Sequence, residues 1–128
     1  MLKQILNGRV LTPQGWLEGG SVIIDGNKIL AVSNSDLHIV DAEIIDAKGC
    51  YVVPGGVDLH VHGGGGRDFM EGTEEAFRVA IKAHMKHGTT SIFPTLSSST
   101  VPMIEAACET CEKLMACLLY TSPSPRDV

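Results

Sequence analysis

The residues in this sequence best suited to chemistry lie in the stretch PGGVDLHVHGGGG, residues 54–66. His60 and His62 stand one residue apart, Asp58 lies two before the first, and Gly63–Gly66 follow. If the segment is a strand, side chains alternate, so Asp58, His60 and His62 are expected on one face and Val57, Leu59 and Val61 on the other. The second set is apolar and suits packing under a helix. The first places polar groups at successive positions, which is costly in a core unless each has a partner. Two histidines at i and i+2 are separated by only ~6.6 Å of strand rise, close enough to share an ion held at ~2.0–2.1 Å. Neutral imidazole is a good ligand for zinc, iron and similar ions. The pattern alone also admits two hydrogen-bonded or exposed strand histidines. The glycines are expected to leave the end of the strand uncrowded, so that backbone can approach a substrate. They lack the Lys-Ser/Thr of a phosphate loop and the spacing of a dinucleotide fingerprint.

The other histidines carry less. His38 is in a polar segment and is expected to be solvated, while His84 and His87 fall in a helical pattern as ordinary helix histidines. Among the cysteines Cys50, Cys108, Cys111 and Cys117, the Cys108–Cys111 pair has C-x-x-C spacing. It lies inside an apolar helical stripe with no second pair, so packing is expected rather than redox or zinc chemistry.

The elements that must position the histidines follow from the flanking patterns. Residues 1–53 read as short β-runs (QIL, RVLT, GSVIID, KILAVS and the runs within AEIIDAKGCYVV), with DGNK at 25–28 as a hairpin turn. A β-rich module is expected there. From residue 51 the pattern changes to strand, helix, strand, helix. TEEAFRVAIKAHMKHG predicts a helix capped by Thr73 and stopped at Gly88, with Ala76, Phe77, Ala80, Ile81 and Met85 on one face. TTSIFPT predicts a strand, and TVPMIEAACETCEKLMA a second helix with Ile104, Ala107, Cys108, Cys111, Leu114 and Met115 as its buried stripe. Such alternation suggests parallel βα units, which place active sites at the C-terminal ends of their strands.

Composition sets the outer limits. The chain has 128 residues, 44% hydrophobic and 20% charged, with a formal net charge of −5. The charge is dispersed and no basic cluster suggests a nucleic-acid or anionic-membrane partner. No apolar run approaches the ~20 residues of a membrane span, and no secretory signal is evident, so a cytoplasmic location is expected. Residues 117–127, CLLYTSPSPRD, have a reverse translation resembling a transposase adapter used in DNA library preparation. That tail is therefore set aside from the fold as non-native.

VVPGGVDLHVHG resembles the first barrel strand of the amidohydrolase superfamily, in which D-x-H-x-H supplies two metal ligands. The continuation resembles the N-acetylglucosamine-6-phosphate deacetylase family, through His62, Gly63, Gly66, Asp68 and Met70 and then Gly88, Thr89, Thr90, Ser91, Pro94 and Thr95. Dihydroorotase-like and hydantoinase-like relatives share P-G-x-x-D-x-H-x-H and usually diverge just after it. The resemblance implies an α/β fold. Residues 54–116 would be the first two βα units of a metal-dependent-hydrolase (β/α)8 barrel, and residues 1–53 part of a small β-sandwich. It implies hydrolysis of N-acetylglucosamine 6-phosphate to glucosamine 6-phosphate and acetate, a divalent metal (zinc or iron) on His60 and His62, and a homodimeric parent. Asp58, Gly63, Gly66 and Asp68 would support the site. A barrel of this type needs ~250 residues. The family's bridging glutamate, further metal histidines, catalytic aspartate and sugar- and phosphate-binding residues are not in this sequence. The chain is thus expected to be an inactive fragment of an active parent. A different amidohydrolase acting on a cyclic amide, or a short metal-binding or interaction module, are the alternatives.

Overall fold

A computed structural model describes residues 1–34 and 38–117, so the adapter-like tail beyond Cys117 lies outside the described residues. The chain divides into two compact units, Met1–Pro54 and Gly55–Val128, each built around its own sheet.

In the first unit, strands β1 (Leu2–Thr12), β2 (Gly15–Asp25), β3 (Lys28–Ser33), β4 (Glu43–Asp46) and β5 (Tyr51–Val52) form one mixed sheet. QIL and RVLT, expected as separate runs, are a single strand with register shifts between Ile5 and Gly8 and between Gly8 and Val10. Asn7 sits there at a φ of 58°, so the bend is absorbed within the ladder instead of breaking it. The 25–28 turn forms as expected, with Asp25 paired to Lys28. The β-rich module, expected as part of a sandwich, is a single five-stranded sheet among the described residues, and Ile29, Leu30, Ile44 and Ile45 are exposed. Leu6, Val10 and Val22 form its buried apolar positions. Beside them the buried Gln4 is satisfied, donating to Ser21 Oγ (2.8 Å) and accepting from the Ile39 N–H (2.9 Å).

In the second unit, β6 (Gly56–Val61) pairs in parallel with β9 (Thr89–Pro94), and helix α1 (Glu74–Met85) makes the crossover. Between them a small hairpin of β7 (Gly63–Gly64) and β8 (Arg67–Asp68) leads into a 3₁₀ turn, Phe69–Glu71. Helix α2 (Val101–Cys117) follows β9. Thr73 caps α1 by accepting the Ala76 N–H, and Glu74 and Glu75 occupy the positive end of the helix. Gly88 takes a φ of 88° and ends the segment. Phe69, Phe77, Ala80 and Leu114 form the core, with Val61, Ile81, Ile92, Leu96 and Cys111 packed against it. Of the expected helix stripes, Ala76, Phe77, Ala80, Ala107 and Leu114 are buried, whereas Met85, Cys108 and Met115 are exposed. Cys111 is half-buried, and burial, then the neighbouring Cys108 and Glu112, push its thiol above the ordinary value. It is a protonated packing residue, not a reactive thiolate.

No helix among the described residues is long and apolar enough to cross a membrane.

Candidate metal half-site

The two histidines come together at the C-terminal end of β6. Their ring centroids are 5.1 Å apart, with the rings edge-on at 82°. Two imidazoles bound to one tetrahedral ion at ~2.0–2.1 Å would have centroids about 5 Å apart. The ring separation is thus of the size a shared ion requires, and it is also that of an ordinary edge-to-face ring contact. Both rings are exposed, and no group of three or more His, Cys, Asp or Glu residues that could hold a metal occurs among the described residues. Among the described residues the arrangement is therefore a pair of histidines with no third such side chain beside it.

Asp58 departs from the expected arrangement. Its carboxylate accepts the N–H of His60 at 3.2 Å, a local side-chain bond of the kind that competes with a strand ladder. The β6–β9 register accordingly shifts between Asp58 and Val61: these two residues, three apart, pair with Ile92 and Pro94, two apart. Strict alternation cannot survive that shift. Asp58 and Val61 both follow the face of Ile92 and Pro94, so Asp58 does not share a simple face with both histidines. The expected apolar face is buried only in part. Val61 packs on the core, while Val57 and Leu59 are 59% and 70% exposed.

The glycine run is also different from its expected form. Gly63 and Gly64 pair with Asp68 and Arg67 around Gly65 and Gly66, whose φ values of 60° and 81° suit a two-residue hairpin turn. This hairpin is crowded at Gly63 and Gly64 and open at Gly66. A Cβ on Gly63 would lie 2.1 Å from the Arg67 carbonyl oxygen, and one on Gly64 would lie 2.8 Å from His84 Nε2. His84 donates from Nε2 to the Gly63 carbonyl at 2.9 Å, so this helix histidine bolts the hairpin to α1. Asp68 caps the 3₁₀ turn: it accepts the Met70 N–H at 2.7 Å while Glu71 accepts the Asp68 N–H at 2.9 Å. Gly63, Gly66 and Asp68 thus shape the hairpin and the turn that follows it.

Three residues overlooked as site residues in the sequence hold the histidines in place. Phe69 is fully buried, stacks on Phe77 at 4.7 Å, and donates its N–H to the His62 carbonyl at 2.9 Å. Thr95 grips Val61, the residue between the histidines, from both sides. Its N–H donates to the Val61 carbonyl (2.8 Å) and its Oγ1 accepts the Val61 N–H (3.1 Å). Ser97 Oγ lies 3.3 Å from His62 Nδ1. The lone aromatic in GGGGRDFMEG and the hydroxyls directly after the second strand were the available signals.

Comparison with known proteins agrees with the layout of the second unit. The profile of the Amidohydrolase family matches residues 51–126, more than half of the chain. A dihydroorotase of Syntrophotalea carbinolica is 46% identical over 78 residues, which cover 59% of this chain and 18% of that protein. The crystal structure of N-acetylglucosamine-6-phosphate deacetylase from Pasteurella multocida superposes with a TM-score of 0.83 at 25% identity, over 91% of this chain and 31% of that one. A D-hydantoinase crystal structure superposes at 0.58 with 34% identity, over 88% of this chain and 24% of the other. The chain spans less than a third of the length of each. The family profile covers the two βα units of the second unit, and the chain belongs to the amidohydrolase family.

Proposed function

We propose that this chain is the part of a metal-dependent amide hydrolase that carries its H-x-H ligand pair, and that the complete protein deacetylates N-acetylglucosamine 6-phosphate. The observation that supports the substrate is the extent of the fold likeness: 0.83 over 91% of the chain for the deacetylase, against 0.58 for the hydantoinase. His60 and His62 are the proposed ligands of a divalent ion, zinc or iron by donor chemistry. An ion held there supplies Lewis-acid polarisation of an amide carbonyl and makes water a better nucleophile near neutral pH. The chain's own residues fix the backbone that carries the two rings: Asp58 engages the His60 N–H, Phe69 the His62 carbonyl, and Thr95 the backbone between them.

No third ligand joins the pair among the described residues. Amide hydrolysis also needs a group to take a proton from water and return it to the leaving amine. The purified 128-residue chain is therefore expected to release no acetate from N-acetylglucosamine 6-phosphate. Sustained release would overturn this assignment of an incomplete site.

A second reading, hydrolysis of a cyclic amide, is favoured by sequence: the dihydroorotase match is 46% identical and the hydantoinase structure 34%. Both readings break an amide C–N bond, but one yields acetate and the other a ring-opened acid. Assay of the complete reading frame on N-acetylglucosamine 6-phosphate, dihydroorotate and hydantoin separates them. Acetate release supports the deacetylase, and ring opening without it replaces that reading by the second.

A further inference from the structure

We propose that Ser97 is a positioning residue for His62, holding Nδ1 so that Nε2 is the nitrogen offered to the metal. The inference rests on the proposed metal reading and extends it to a residue outside the H-x-H. It follows from how the two strand ends are joined. Thr95 locks onto Val61 through two hydrogen bonds, and Ser97, two residues further on, is thereby delivered beside the His62 ring. The backbone of His62 is separately fixed by the Phe69 N–H. Side-chain rotation remains, and the Ser97 Oγ contact at 3.3 Å is what restrains it at Nδ1.

A neutral imidazole has one N–H and one lone pair. With Nδ1 facing Ser97, the nitrogen left for an ion is Nε2. With an ion bound, the Nε2 lone pair would go to it, Nδ1 would keep its hydrogen, and Ser97 Oγ would accept the hydrogen bond from Nδ1–H. Ligation through Nδ1 would instead require the serine to leave. Metal-bound histidines commonly donate their second N–H in this way, and loss of that partner weakens metal binding by roughly 10–100-fold. The contact is exposed, so about tenfold, the low end of that range, is expected here.

The test is a zinc titration of the 128-residue chain, read on imidazole ¹⁵N signals, for the wild type, Ser97→Ala and Ser97→Thr. Wild type is expected to coordinate through Nε2 of His62. S97A is expected to bind about tenfold more weakly and to mix Nδ1 and Nε2 coordination, and S97T, which keeps the hydroxyl, to restore both. Ser99→Ala, in the same serine run but bonded to Met103 Sδ, should behave as wild type. Coordination through Nδ1 in the wild type, or an S97A variant unchanged in affinity and ligating nitrogen, overturns the role of Ser97 alone. Absence of any zinc effect on either ring overturns the metal reading and this inference with it.

Discussion

At the residue scale, the histidines are set by backbone bonds that the motif itself does not name. Thr95→Val keeps shape and removes the acceptor for the Val61 N–H, leaving a half-buried donor unpaired. A loss of about 1–3 kcal/mol is expected for the second unit by urea denaturation, since an unmet donor costs its desolvation. Gly63→Ala should be worse. Its Cβ would meet the Arg67 carbonyl oxygen at 2.1 Å, and the atoms it meets are Arg67 and Asp68 backbone, with no flexible side chain to yield. The H-x-H stood out in the sequence because the proposed metal ligation demands particular side chains at particular spacing. The bulge that follows Asp58 was not legible, because it depends on a side-chain bond competing with the ladder to β9. Nor was the crowding of the glycines: the same permissive φ serves an open loop or a tight hairpin, and only the helix behind it decides.

At the element scale, α1 carries both the crossover and the core. Phe77 is 1% exposed against Phe69, and Phe77→Ala is expected to cost about 3–5 kcal/mol, enough to unfold a unit with so few buried side chains. Loss of the cooperative thermal transition of the second unit is the readout. The helix also joins α2 through Glu74, which pairs with Lys113 and with Arg78. The Lys113 hydrogen bond first, then its charge and Arg78, hold the Glu74 carboxyl below its usual range. A carboxyl depressed in the folded state contributes stability above its unfolded pKa and loses it as pH falls through the folded value. The α1–α2 contact should therefore weaken in acid, below the ordinary glutamate range, and Glu74→Gln should remove that component of the pH dependence. The pair is solvent-exposed, so added salt should shrink the effect. These helices were readable from the sequence through capping residues and 3.6-residue periodicity. Their outer stripes were not: Met85, Cys108 and Met115 have the right spacing but face no partner in the described chain.

At the scale of the whole molecule, the order strand–helix–strand–helix fixed the parallel pairing of β6 with β9, as alternation does in α/β folds. What alternation cannot report is how many neighbours a strand has. Val57, Leu59 and Phe93 on the two-stranded sheet are 59%, 70% and 48% exposed, and Ile29 and Leu30 on β3 are 62% and 57% exposed. Apolar strand surface of this kind favours association. The chain is expected to run as oligomers or aggregates in size-exclusion chromatography with light scattering, and a monodisperse monomer would contradict that expectation.

The central claim is that His60 and His62 form a metal half-site. Zinc titration of the intact chain, followed on the ¹⁵N signals of all five histidines, tests it most directly. The account predicts that His60 and His62 respond together at one equivalent while His38, His84 and His87 do not, and that His60→Ala or His62→Ala abolishes the response. Unperturbed His60 and His62 signals, or a response centred on His84 and His87, would contradict it.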